Sequence, residues 1–237
     1  MGTPAWLSRR HADVPPGEAW LSARERDTLA GMTFARRGAD WRLGRWAAKC
    51  AVAASLEVPV GHVEVLAAED GAPEAWLDGE RAPISLSISH REGRALAVVA
   101  FAPLCVGCDL EVVEPRSGAF VREWLAPPEQ RLVAAAGEGR RALLANLLWT
   151  AKEAAAKVRR EGLRLDVRSA VVTLLDGAVD AWHPLHVDWG DDGSTTFGWW
   201  RVEPGWVMSV ACEPAVPPPR TLEGIRTSVA RPRVSLA

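Results

Sequence analysis

The stretch ISLSISHREGRALAVVAFAPLCVGCDLEV, residues 84–112, reads as three strands in succession. Ile84 to Ser89 and Arg94 to Ala102 flank Glu92-Gly93, a turn pair that closes them into a hairpin, and Val106 to Val112 follows as a further strand. Toward the N-terminus, residues 39–56 carry Trp41, Leu43, Trp46, Ala47 and Cys50 on an apolar face, with Arg42, Arg45 and Lys49 at spacings of three and four. That pattern predicts a long helix, stopped by Pro59. Before it, residues 19–30 read as a short helix, with Ser22 as cap and Glu25 three residues on. His62 to Ala67 alternate as a strand, and Asp70-Gly71-Ala72-Pro73 is a turn. Toward the C-terminus, prolines and Glu129 open a helix over 127–136, and 140–160 is strongly helical. Strands are expected near 167–175, 184–189, 195–202 and 206–212, the last two joined by Pro204-Gly205.

Each half thus offers a long helix followed by several strands. The expected fold class is α+β, two similar α/β lobes with pseudo-twofold symmetry, divided as 1–108 and 109–213. From residue 214 to 237 Pro, Arg and Ser dominate, and that tail is expected to be disordered.

The chain has 237 residues, enough for one large domain or two small ones with a substantial core. Its net charge of −2 gives no global bias toward nucleic acid or an anionic membrane, so an anionic ligand must be held by a local cluster. Only the end of the chain, with Arg220, Arg226, Arg231 and Arg233, is basic. No apolar run approaches the ~20 residues that span a bilayer. Met1 to Arg10 lacks the layout of a signal peptide, so a cytoplasmic protein with reduced thiols is expected. Cys105 and Cys108 have no second ligand pair for zinc and lie in a strand, so they read as small core residues.

Four constellations could carry chemistry. Asp109 and Glu111 share one face of a strand, about 7 Å apart, while Cys108 and Leu110 pack behind. Such a pair can hold a hard cation, although on its own so common a pattern reads first as the solvated face of an edge strand. Trp149, Glu153 and Lys157 line one side of a helix at spacings of four. A carboxylate beside a lysine can serve as metal ligand, general base and phosphate clamp, or simply as a helix-stabilising ion pair. Ser89, His90 and Arg91 stand where a strand enters a turn and could grip phosphate oxygens. The basic side of the 39–56 helix, with Arg36-Arg37 before it, reads either as a phosphate site or as a solvated face.

Taken in order, these segments resemble the 4′-phosphopantetheinyl transferase superfamily, in its longer, monomeric, surfactin-synthetase-activating type. The resemblance rests on Trp41-Arg42-Leu43-Gly44-Arg45, Ser87-Ile88-Ser89-His90, Gly107-Cys108-Asp109-Leu110-Glu111 and Trp149-Thr150-Ala151-Lys152-Glu153-Ala154-Ala155-Ala156-Lys157, with the closing Val202-Glu203-Pro204-Gly205-Trp206 hairpin. It implies an active site in the cleft between two lobes, coenzyme A as donor, Mg²⁺ (or Mn²⁺) as metal, and an apo acyl-, peptidyl- or polyketide carrier protein as acceptor. It implies that Asp109, Glu111 and Glu153 hold the metal, that Glu153 takes the proton from the acceptor serine, and that Lys157 steadies the pyrophosphate. It implies that Arg45, Ser89 and His90 contact the phosphates of coenzyme A.

The chain departs from the family pattern in places. Arg91 replaces a small residue after the histidine, and the Gly71-Ala72-Pro73 loop lacks a lysine often found there, for which Arg91 or Arg81 could substitute. Phe120, Trp124 and Leu125 could present an apolar surface to the acceptor, or pack in the core. Two other functions compete: another Mg²⁺-dependent phosphoryl-transfer or pyrophosphate-cleaving enzyme, and a non-catalytic module binding coenzyme A or carrier proteins. The presence of all three carboxylates argues against the second.

Overall fold

A computed structural model describes residues 2–160 and 166–224. The first half runs β1 (Ala5–Arg10), α1 (Ala23–Ala30), α2 (Ala35–Leu56), β2 (Val63–Ala67), β3 (Pro73–Leu77), β4 (Glu80–Arg81), β5 (Ile84–Arg91) and β6 (Arg94–Phe101). The second half opens with β7 (Cys105–Val112), α3 (Gly118–Trp124), α4 (Pro127–Ala135) and α5 (Glu138–Arg159). The chain then passes through β8 (Val171–Leu174), β9 (His183–Asp188), β10 (Thr195–Glu203), β11 (Trp206–Glu213) and β12 (Arg220–Thr221). The fold is α+β, as the sequence predicts. Among the described residues no helix is long and apolar enough to cross a membrane.

The strands form a sheet ordered β12-β1-β6-β5, a second ordered β7-β11-β10-β9-β8, and a small one ordered β2-β3-β4. Side-chain alternation decides what each sheet packs against. On β6, Ala95, Ala97 and Val99 join the cluster built on α2, while Leu96, Val98 and Ala100 join Val106, Cys108 and Leu110 of β7 and Met208, Val210 and Cys212 of β11. A third cluster places Ala151, Ala154, Ala155 and Val158 of α5 with Val172, Leu185 and Ala211 from the other side of the second sheet. The layers therefore run α2, first sheet, second sheet, α5. Because Cys108 and Leu110 face inward between the sheets, Asp109 and Glu111 face α5.

A row of serines joins the two sheets. No backbone ladder links β5 with β7 among the described residues. Instead the hydroxyls of Ser85, Ser87 and Ser89 accept hydrogen bonds from the N–H groups of Val106 (3.2 Å), Cys108 (3.0 Å) and Leu110 (3.3 Å). Serine at alternate positions of β5 thereby satisfies the donors of an edge strand that would otherwise be orphaned.

Each half also encloses a buried ion pair. Ser22 and Glu25 form the capping box expected of α1, and Glu25 Oε2 also accepts from Lys49 Nζ at 2.7 Å, while its Oε1 accepts from Val65 N at 3.0 Å. In the second half Glu129 Oε2 accepts from Ala126 N and Lys152 Nζ, both at 2.7 Å, and its Oε1 accepts from Val172 N at 2.8 Å. The same four-way constellation thus ties short helix, long helix and strand together in both halves.

The start and end of the fold differ from expectation. Ala5, Trp6 and Leu7 are all buried, so β1 is covered on both faces and shows no alternation in the sequence. Of the tail expected to be disordered, residues 220–221 form β12, parallel to β1 with Ala5 opposite Arg220 and Trp6 opposite Thr221. Leu222 is buried, and Glu223 Oε1 accepts from Ser8 N at 2.8 Å. The rest of that tail, 225–237, lies outside the described residues.

Lys152→Met should lower unfolding stability by about 3–5 kcal/mol, because it leaves Glu129 buried and unpaired. Urea denaturation followed by tryptophan fluorescence measures this, and a change within error of zero would show that the pair does not hold the helices together.

Candidate active site

The site is built on β7 and α5. At Gly107 any Cβ would collide with the carbonyl oxygen of Ala154, so glycine lets the backbone of α5 lie directly on the strand. This contact lets Lys157 reach down: its Nζ donates to Cys108 O at 2.8 Å and to Asp109 Oδ1 at 3.0 Å. Asp109 Oδ1 also accepts from the Ser89 hydroxyl at 2.7 Å. Ser89 is buried and committed to Asp109 and Leu110 N, so it orients the carboxylate.

Asp109 Oδ2 is buried with no hydrogen-bond partner. A carboxylate oxygen in that state is costly unless it meets a cation or a donor that arrives later. Glu153 stands one turn before Lys157, and Glu111 follows Asp109 on the same face of β7. Burial raises Glu153 above the usual carboxylate range; Lys157 opposes this, and the charges of Asp109 and Glu111 add to it. Burial also raises Glu111, with Asp109 adding and Arg116 and Arg91 opposing. Burial, the largest influence, disfavours charge on Lys157, yet Asp109, Cys108 and Glu153 together hold the ammonium above its ordinary value. Crowded anions of this kind mark a place suited to a cation.

Among the described residues no group of three or more His, Cys, Asp and Glu side chains stands together as a metal site. The donors present nevertheless fit Mg²⁺, which takes one or two carboxylates together with substrate phosphate oxygens. The unpartnered Oδ2 of Asp109 is the atom that fits best.

His90 lies apart from these groups and is exposed, at the rim of a second feature. There α2 crosses β5 at Gly44, where a Cβ would stand 3.3 Å from Ile88 Cγ2 and 3.7 Å from His90 Cδ2. Beside this crossing is a cavity of about 600 Å³, walled by Met32, Phe34 and Trp41, with Arg36, Arg37 and His90 as donors and Asp40 as the one acid. Arg45, expected beside His90, does not line it. Its guanidinium stacks on Trp41 at 4.5 Å and its Nε is buried without a partner. Burial pushes Arg45 down to about 10, against the opposite pull of Glu25. The structure thus brings His90 together with Arg36 and Arg37.

Other expectations change as well. Arg81 is paired with Glu74 at 2.7 Å, and Arg91 with Glu114 at 2.9 Å, so each already has an acidic partner in place of the missing loop lysine. Leu125 belongs to the core beneath α5, not to an apolar surface. Phe120 and Trp124 are half-buried and meet Trp149 edge-on, at 5.4 and 5.2 Å between centroids. All four cysteines are free, and burial pushes the Cys108 thiol up to about 11, which removes it as a nucleophile.

Sequence reasoning missed Arg116 and Asn146. Arg116 donates to Glu111 Oε2 at 2.8 Å and to Asn146 Oδ1 at 2.6 Å. The signal available was Asn146 itself, a polar residue inside the apolar run Leu144-Ala145-Asn146-Leu147-Leu148.

Residues 105–194 match the family model of the 4′-phosphopantetheinyl transferase superfamily. No curated protein matches the chain. The superfamily match runs from β7 through β9, so it encloses Asp109, Glu111, Glu153 and Lys157, whereas Arg45, Ser89 and His90 precede it. It supports a phosphopantetheinyl transferase function in general terms.

Because folding raises Glu153 above its unfolded value, its ionised form costs stability at neutral pH, and that cost disappears as pH falls through the carboxylate range. Glu153→Gln should therefore raise the melting temperature of the metal-free protein at neutral pH, and the gain should shrink as pH is lowered. Thermal melts across a pH series check this; a destabilised variant at neutral pH would contradict it.

Proposed function

We propose that the protein transfers the 4′-phosphopantetheine arm of coenzyme A to a serine of an apo acyl-, peptidyl- or polyketide carrier protein, releasing adenosine 3′,5′-bisphosphate. The observation that carries this reading is the buried Asp109 carboxylate, with one oxygen unpartnered and the other held by Ser89 and Lys157, beside Glu153 on the helix. The superfamily match over the same elements supports it.

In this reaction the serine oxygen forms a bond to the β-phosphorus of coenzyme A, and the bond from that phosphorus to the bridging oxygen breaks. The serine proton passes to a base, and the bridging oxygen leaves with the bisphosphate. Glu153 is suited to be the base, because its raised pKa favours accepting a proton. Lys157 holds a positive charge where the pyrophosphate oxygens would lie. Asp109 and Glu153, with Glu111 alongside, would hold Mg²⁺ or Mn²⁺, which supplies neutralisation of the charge gathering on the leaving group. The cavity beside His90, with Arg36 and Arg37, would receive the phosphorylated nucleoside end. Phe120, Trp124 and Trp149 would face the acceptor.

The direct test incubates the protein with coenzyme A, Mg²⁺ and a panel of apo fatty-acid, polyketide and nonribosomal-peptide carriers, then weighs the carriers. A gain of one phosphopantetheine mass on a carrier is expected, and no gain on any would overturn the reading. Glu153→Gln should slow transfer by about 10²–10⁴-fold. Asp109→Ala should raise the metal concentration required.

A second prediction concerns His90. If it donates to the 3′-phosphate, His90→Ala should lower kcat/KM for coenzyme A by about one to two orders of magnitude. Dephospho-coenzyme A, which lacks that phosphate, should lose little. Equal losses with both donors would remove the phosphate assignment while leaving the transfer reaction intact.

A further inference from the structure

The last turn of α5 carries Lys157 and is tied to both halves of the chain. At a helix end the final carbonyls have no intrahelical donor, and such ends open more readily than the helix interior. α5 ends at Arg159, so the backbone of Lys157 lies in the part of the helix that the helix itself holds least.

Side chains supply the missing restraint. Arg159 pairs with Asp192 at 3.1 Å and Asp191 at 3.5 Å, and its guanidinium lies 4.8 Å from the centre of the Trp189 ring. Arg160 closes the helix, with its N–H on Ala156 O at 3.2 Å, and its side chain reaches across to the first half. There its Nε donates to Asp70 Oδ2 and its Nη2 to Asp70 Oδ1, both at 2.8 Å. A two-point pair of this kind fixes direction as well as distance. The receiving end is also held. Asp70 Oδ1 accepts from Ala72 N at 3.1 Å, and the turn between β2 and β3 is closed by Ala68 N on Ala72 O at 2.8 Å and Gly71 N on Ala68 O at 2.9 Å. Arg160 has a φ of 56°, the left-handed conformation that glycine favours at a helix end. Its two partners are 40% and 39% exposed, and a pair so open to water adds little to global stability. What the bridge fixes is local: where the end of α5 sits.

We propose that Asp70 and Arg160 are positioning residues, whose bridge from the first half holds the last turn of α5 so that Lys157 stays aligned on Asp109. The proposal rests on the transferase reading above and adds to it a contribution from the β2–β3 turn. Lys157 acts on charge that gathers on the leaving group, which is greater in the transition state than in bound coenzyme A. Loosening its turn of helix therefore slows the chemical step more than it weakens binding.

The test compares the full wild-type chain with Asp70→Ser and Arg160→Gly. A serine hydroxyl can still accept from Ala72 N but cannot take both guanidinium bonds, and glycine suits the left-handed conformation, so neither change threatens folding. Steady-state transfer to a carrier that the wild type modifies is measured well below the melting temperature. Each variant should lower kcat about tenfold while KM for coenzyme A stays within about twofold, and the double variant should be no slower than the slower single one. Amide hydrogen exchange followed by NMR should quicken about tenfold over residues 156–160 in Asp70→Ser, whose helix sequence is untouched, and stay unchanged over 144–151. A kcat within about twofold of wild type in either variant, a loss confined to KM, or unchanged exchange at the helix end would overturn the positioning role while leaving the transferase reading in place. Wild-type protein that transfers nothing to any carrier removes that reading, and the positioning role falls with it.

Discussion

The buried pair between Glu129 and Lys152 is the interaction on which the site depends. Glu129 caps its own helix, takes the ammonium of Lys152 from α5 and receives the N–H of Val172 from β8. Lys152 Nζ also donates to Trp124 O at 3.2 Å and Val167 O at 3.0 Å, so every polar atom of the pair is engaged. A buried charge pair contributes little net stability when complete, but removing either member is severe. Its value lies in geometry. Successive residues on a helix turn by about 100°, so fixing the rotation of α5 at Lys152 also fixes where Glu153 points. The residue proposed as the base is aimed toward Asp109 and Glu111 because its neighbour is locked into the core.

A second constraint acts from the other side. Gly107 brings α5 against β7, and the serines of β5 hold β7 to the first sheet. Asp109 sits where these two requirements meet. Its position is set by Ser89 from one sheet edge and Lys157 from the helix, and both bonds fall on the same oxygen. That division leaves the other oxygen for a ligand. Burial and neighbouring anions raise Glu111 and Glu153 above the usual carboxylate range, the cost of assembling acids in a partly dry place.

Much of this was legible in the residues. The long helices appear where apolar spacing and cationic rows predicted them, and the hairpin of β5 and β6 turns at Glu92-Gly93 as expected. The Ser22–Glu25 capping box was readable because it is local. What escaped was long-range. Nothing within reach of Glu25 in sequence points to Lys49 or Val65, and Arg116 gains its meaning only when Asn146 and Glu111 are folded beside it. β1 escaped because a strand buried on both faces has no period of two. For Leu125 the sequence leaves a docking patch and a core position equally open, because an apolar residue near aromatic neighbours fits both, and burial decides for the core.

The pairing of β12 with β1 has a bearing on how the chain matures. β1 lies between β6 and β12, and its outer edge is completed by residues near 220. During synthesis at about 5–20 residues per second, that edge stays open for on the order of 10–40 s after β1 has left the ribosome. Throughout that interval Trp6 and Leu7, both destined for the interior, sit on a strand lacking its last neighbour. The nascent protein therefore passes through a window of exposure to chaperones or to unwanted partners that closes only when the distal segment docks.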